Sequence, residues 1–223
     1  MSRGAGAAIR VSLETGTRLS FASALDWPGW SRSGRGDEAA VEVLRAYAPR
    51  YSPVARGAGL EPPDPTQIEV VERLPGSGTT DFGVPGVIGP LDGEPLTAPE
   101  AARLVRLLES CWELFDRVVA DAPASLRKGP RGGGRDRDAV VDHVVGAEVE
   151  AYARKLGIRL PRPAWDDLAA RAVERDAIAA GPRAAGGAPP SEPSGKGWPA
   201  RYAVRRIGWH VLDHTWEIED RAV

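Results

Sequence analysis

Residues 209–217 read Trp209-His210-Val211-Leu212-Asp213-His214-Thr215-Trp216-Glu217, and two of the chain's 3 histidines stand in this stretch, four positions apart. The surrounding run, 200–220, reads as one helix, on which that spacing puts both imidazoles on one face. Two imidazoles so placed can grip one ion. The third histidine lies in Asp138-Ala139-Val140-Val141-Asp142-His143-Val144-Val145, inside a second helical run, 137–156, that Gly157 ends. Neutral imidazole is a borderline nitrogen donor suited to zinc, nickel or ferrous iron, and three such donors leave a coordination position free for water or substrate. The spacing alone leaves two readings open: a metal triad, or histidines satisfied by ordinary hydrogen bonds in a core.

Outward from these runs, Thr97 and Glu100 form a capping box that opens a third helix. Its stripe of Leu104, Leu107, Leu108, Cys111, Trp112, Phe115, Val118 and Val119 has helical period, and Pro123 stops it. A fourth run, 164–180, is ended by Gly181-Pro182. Four helices suggest a bundle over 97–223, with the Gly-, Ala-, Pro- and Ser-rich stretch 181–197 as a flexible crossover. Upstream, 76–96 is dense in turn residues and reads as an irregular connector. The N-terminal part, 1–75, reads as strands at 8–13 and 18–25 joined around Thr15-Gly16, then the turn Asp26-Trp27-Pro28-Gly29-Trp30 and a short strand. A helix capped by Asp37 follows, with Ala40, Val41, Leu44 and Tyr47 on one face, and 68–73 adds a further strand. The fold class expected is α+β.

The N-terminal order, carried by 20–24, Asp26-Trp27-Pro28-Gly29-Trp30, Ser33-Gly34 and Asp37-Glu38-Ala39-Ala40, resembles the HicB-like antitoxin fold over about 45 residues. From Thr97 onward the chain resembles the DinB-like superfamily, which includes thiol-dependent S-transferases. In those four-helix bundles the second helix supplies one histidine and the last a His-x-x-x-His pair. The resemblance implies His143, His210 and His214 as ligands of a divalent metal, zinc first, with nickel or iron as alternatives. It also implies a low-molecular-weight thiol as co-reactant, a small-molecule substrate and a homodimer. After His214 this chain continues Thr215-Trp216-Glu217-Ile218-Glu219-Asp220, where relatives often carry a further histidine or an Arg-Gly-Gln-like run.

Around the triad, Glu217 lies three positions after His214 and seven after His210, on the same face. Asp142 and Asp213 each precede a histidine and point about a quarter-turn away. Glu150, seven after His143, is a weaker candidate for a fourth ligand. In an enzyme, Glu217 or Tyr152 would carry protons and the metal would activate a water or thiol against an electrophile, by thiol transfer or hydrolysis. The rival reading is a non-catalytic protein-interaction module. Trp209 and Trp216 read as packing residues in preference to substrate platforms, while Trp27 and Trp30 would dock the turn onto the bundle or a ligand.

The 223 residues carry a formal charge of -2, which gives no reason to expect nucleic acid or an anionic membrane as partner. Arg127, Lys128, Arg131, Arg135 and Arg137 form a local basic cluster, read as a solvated loop in preference to an anion contact. No apolar run reaches a membrane span and the N-terminus lacks a signal-peptide core, so the expected location is the cytoplasm. The single Cys111 rules out an internal disulfide, and its apolar helical setting marks a buried, inert thiol.

Overall fold

The computed structural model describes residues 8–129, 133–187 and 197–222. The chain is α+β: a four-stranded sheet comes first and long helices follow. Strands β1 (Ile9–Thr15), β2 (Ser20–Ala24) and β3 (Ser31–Gly34) form an antiparallel meander. Helices α1 (Asp37–Ala46) and α2 (Ala48–Gly57) then carry the chain back to β4 (Ile68–Pro75), which pairs parallel to β1, giving the order β3-β2-β1-β4.

Both faces of the sheet are covered, which is why every residue of β2 is buried. Ile9, Val11 and Leu13 alternate with Arg10, Ser12 and Glu14 along β1, and Leu13 shares a groove with Val41 of α1. The opposite face carries Ser12, Ser23 and Ser31 in register across three strands, and with Glu14 it faces the last helix. Glu14 is buried there because Thr80 Oγ1 and the backbone N–H groups of Gly86 and Val87 donate to its carboxylate.

Helices α4 (Ala98–Asp121), α5 (Arg137–Ala147), α7 (Leu168–Ala184) and α8 (Ala200–Arg221) pack around one apolar core that is continuous with the core beneath the sheet. The Thr97–Glu100 capping box forms as expected, Thr97 Oγ1 accepting from Glu100 N–H and Glu100 Oε2 from Thr97 N–H. Four features differ from the sequence reading. A helix, α3 (Gly78–Phe82), interrupts the connector, and α2 forms where none was expected. The fourth run starts at Leu168 behind the Asp167 cap and continues through Gly181-Pro182, whose missing N–H costs one bond near the helix end. The second run is not uniform: after Ala147 it passes through a π-helical turn, Glu148–Tyr152, into α6 (Ala153–Lys155). Of the low-complexity crossover, 188–196 lies outside the described residues, as does Arg131.

The turn 26–30 docks on the helices. Trp30 is fully buried, stacked on Tyr51 with ring centres 5.5 Å apart, and its Nε1 donates to Leu44 O at 2.9 Å. Trp27 is half-buried, with the Arg103 guanidinium 4.4 Å above its ring. Gly29, at φ 90°, comes so close to Gly208 of α8 that a Cβ on it would meet Leu212 Cδ1 at 2.6 Å and Gly208 O at 3.1 Å. That contact uses the side of α8 turned away from its histidines. No helix of the described residues is long and apolar enough to cross a membrane.

Candidate metal centre

Helix α5 lies against α8, and His143 of the first faces His210 and His214 of the second. The three rings meet edge to face, with centres 5.2 Å apart for His143 and His210, 4.9 Å for His143 and His214, and 4.7 Å for His210 and His214. One ring nitrogen from each lies within 4.8 Å of the other two, and the Nε2 atoms of His143 and His210 are 3.3 Å apart. Two nitrogens bound tetrahedrally to one zinc ion at about 2.0–2.1 Å stand about 3.4 Å apart, so this pair already has the separation a shared ion requires.

The surroundings orient His214 and favour the metal-binding form of His143 and His210. Glu217 Oε2 stands 2.7 Å from His214 Nδ1, and its other oxygen accepts from Arg221 Nη1 at 2.6 Å. The hydrogen bond to His214, followed by the arginine, holds the Glu217 carboxyl below its usual range. An ionised Glu217 accepts from Nδ1 of His214, which leaves Nε2 as the ring nitrogen that would bind a ligand. Burial pushes His210 well below the ordinary histidine range, with the His214 and Arg206 charges acting in the same direction. His143 is lowered by burial and then by His214 and Arg135. The Nδ1 of His210 is buried with no partner, which leaves no hydrogen bond competing for that ring's orientation.

Tyr152, at the end of the π turn, is buried with its ring centre 5.4 Å from that of His210, and burial raises its hydroxyl above the usual tyrosine range. Trp198 packs on its other side at 5.3 Å. Glu217 is fully engaged between His214 and Arg221, so its part is to hold His214. Glu150 does not reach the cluster: it is exposed, and Arg162 takes its carboxylate at 2.8 Å. Arg162 also takes Asp142, at 2.8 Å, and Asp213 pairs with Arg32 at 3.0 Å.

Trp209 packs edge-on against Phe21 of β2, and Trp216 against Tyr47. Cys111 is buried and its thiol pushed far up by burial, as an inert core residue should be. The sequence reading missed Arg206 and Arg221, although both were within its reach: Arg206 stands four before His210 and Arg221 four after Glu217. Compared with known protein families, with curated proteins and with solved structures, the chain matches none of them.

Proposed function

We propose that this chain is a divalent-metal protein whose helices form a DinB-like bundle and whose sheet is a HicB-like module, with His143, His210 and His214 as the ligands. The observation that supports it is the convergence of three imidazoles from two helices, with His214 held by an ionised Glu217 so that its Nε2 is free. The donor set fits zinc first, with nickel or ferrous iron next. When bound, such an ion supplies Lewis acidity to a water or thiol in its open coordination position. The function we propose on this basis is a metal-dependent thiol S-transferase or hydrolase acting on a small electrophilic molecule. The chain's own residues orient that chemistry: Glu217 and Arg221 fix His214, while the Tyr152 ring walls the site beside His210.

Metal content by elemental mass spectrometry tests the proposal, with wild type beside His210→Ala and His143→Ala. About one equivalent of metal is expected in the wild type and much less in either variant. A wild-type chain that takes up no ion after zinc, nickel or iron is supplied would end this reading.

A further inference from the structure

Every carboxylate that surrounds the triad is already engaged. Glu217 is held by His214 and Arg221, Asp142 and Glu150 both by Arg162, and Asp213 by Arg32. Two arginines are left over: among the described residues, neither Arg135 nor Arg206 forms an ion pair. They approach from different sides. Arg206 lies one turn before His210, its guanidinium carbon 5.2 Å from the Tyr152 ring centre and 4.6 Å from that of Trp209, and its Nη1 is buried without a partner. Arg135 precedes α5 and is exposed. It lines an open groove together with His143, on a wall of small residues, Ala139, Gly146, Ala147 and Ala151; the remaining lining is the Arg162 ion pair with Asp142 and Glu150. Its carbonyl accepts from Arg221 Nη2 at 2.7 Å, which ties its backbone to the arginine that holds Glu217. The remaining described basic residues of that segment are otherwise occupied: Lys128 by Asp136, Arg137 by Asp138 and Ala122 O, and Arg127 by Asp220 O.

The charge balance of the site follows. Three neutral imidazoles bring no negative charge to a divalent ion; Glu217 is offset by Arg221 and Asp213 by Arg32, while Asp142 and Glu150 share one arginine, Arg162, and leave a single negative charge. The two unpaired guanidiniums outweigh that charge and add to the positive charge of an ion in the site. A site with surplus positive charge, an open groove and a free planar fork of N–H donors is built to receive an oxyanion.

We infer that the substrate of this site is a small anionic molecule whose carboxylate or phosphate group docks on Arg135 in the groove beside His143, with Arg206 adding to the attracting field from behind Tyr152. This rests on the metal reading above for the reaction, but not for the docking itself.

The test titrates acetate and inorganic phosphate into the full, metal-loaded chain by calorimetry at constant ionic strength. Wild type is compared with Arg135→Gln, Arg206→Gln and Arg117→Gln, the last removing an equal charge from the exposed face of α4. Elemental mass spectrometry is run on every sample. We expect saturable binding in the wild type, a loss of tenfold or more in Arg135→Gln, a few-fold loss in Arg206→Gln, and less than twofold in Arg117→Gln. The stronger of the two probes tells carboxylate from phosphate. Absence of saturable binding by metal-loaded protein, or equal affinities for Arg135→Gln and Arg117→Gln, overturns the inference while leaving the metal centre intact. If the chain takes up no metal, the same titration is made on the metal-free protein. Binding that depends on Arg135 then upholds the docking and removes the metal, and no binding removes both.

Discussion

Three histidines meet between α5 and α8, whereas on the α4–α7 side Asp116, Arg171, Glu174 and Arg175 gather around Glu148. In the first cluster ring nitrogens of three imidazoles converge within 4.8 Å of one another. In the second the groups are charged and close on themselves: Asp116 takes both Arg171, at 2.7 Å, and Arg175, at 3.1 Å, and Trp112 Nε1 donates to Glu148 Oε1. Three carboxyls face two guanidiniums there. Glu148 is fully buried with one oxygen unpartnered, and Glu174 is 3% exposed with both unpartnered. Burial raises both, and Glu174, which also feels the Glu148 charge, is pushed up to about 8. One proton at neutral pH balances the cluster. The difference teaches what each place is for. Convergent imidazole nitrogens invite a guest ion, while charges that neutralise one another, given a proton, bind two helices together.

The sharpest way to break this comparison is Glu148→Ala. It leaves the Trp112 N–H without an acceptor and opens a cavity in a buried ionic cluster, so we expect a loss of about 3–5 kcal/mol in urea unfolding. Glu148→Gln, which keeps an acceptor for Trp112, should lose far less. A loss as small for alanine as for glutamine would mean that the α4–α7 contact does not depend on this carboxyl.

On the histidine side, Glu217→Gln removes the charge that holds His214. The expected effect is metal affinity lower by about 10- to 100-fold, with stability nearly unchanged, read by competition against a chelator. An unchanged affinity would separate Glu217 from the site.

The smallest effect at neutral pH, and the most diagnostic of sign, is that of Glu174→Gln. The folded state keeps on Glu174 a proton that the unfolded chain releases above its ordinary value of 4.5. Stability should therefore fall as pH rises from about 4.5 to about 8, by up to about 1.4 kcal/mol per pH unit. His210, lowered on folding, has the opposite sign and costs stability as pH falls below 6.5. Glu174→Gln should flatten the alkaline limb of the unfolding profile and leave the acid limb in place. A variant whose alkaline limb matches the wild type would show that no proton is held there.

The histidine cluster was legible in the sequence because a scarce residue type seldom recurs at a four-residue spacing by chance, and because Glu217 falls on the same face by simple periodicity. The meander and the Thr97 capping box were legible for similar local reasons, as was the helix at Asp37, although Asp37 does not cap it: Gly36 is the N-cap and the Asp37 carboxylate accepts from the Thr15 and Ser20 hydroxyls of the sheet. The carboxylate cluster was not. Arg171, Glu174, Arg175 and Ile178 share one face of α7, yet charges at that spacing ordinarily mark a solvated surface, and only tertiary packing shows that the face is buried. Helix α2 was hidden by Pro49 and Pro53, which read as breakers. The π turn has no mark in sequence at all, since it is defined by a shift of hydrogen-bond partner within an otherwise helical run.

That turn begins at Glu148 and ends at Tyr152, so its first residue belongs to the charged cluster and its last to the histidines. A π turn holds one residue more than an α-helix of the same rise, and that extra residue offsets everything beyond it by about 100° of helical phase. The two clusters are thus geared together by a residue count. Shortening 148–152 by one position would restore α-helical phase and swing the Tyr152 ring away from His210 without altering any residue that lines either cluster. Chain length within five residues is therefore a determinant of this site in its own right.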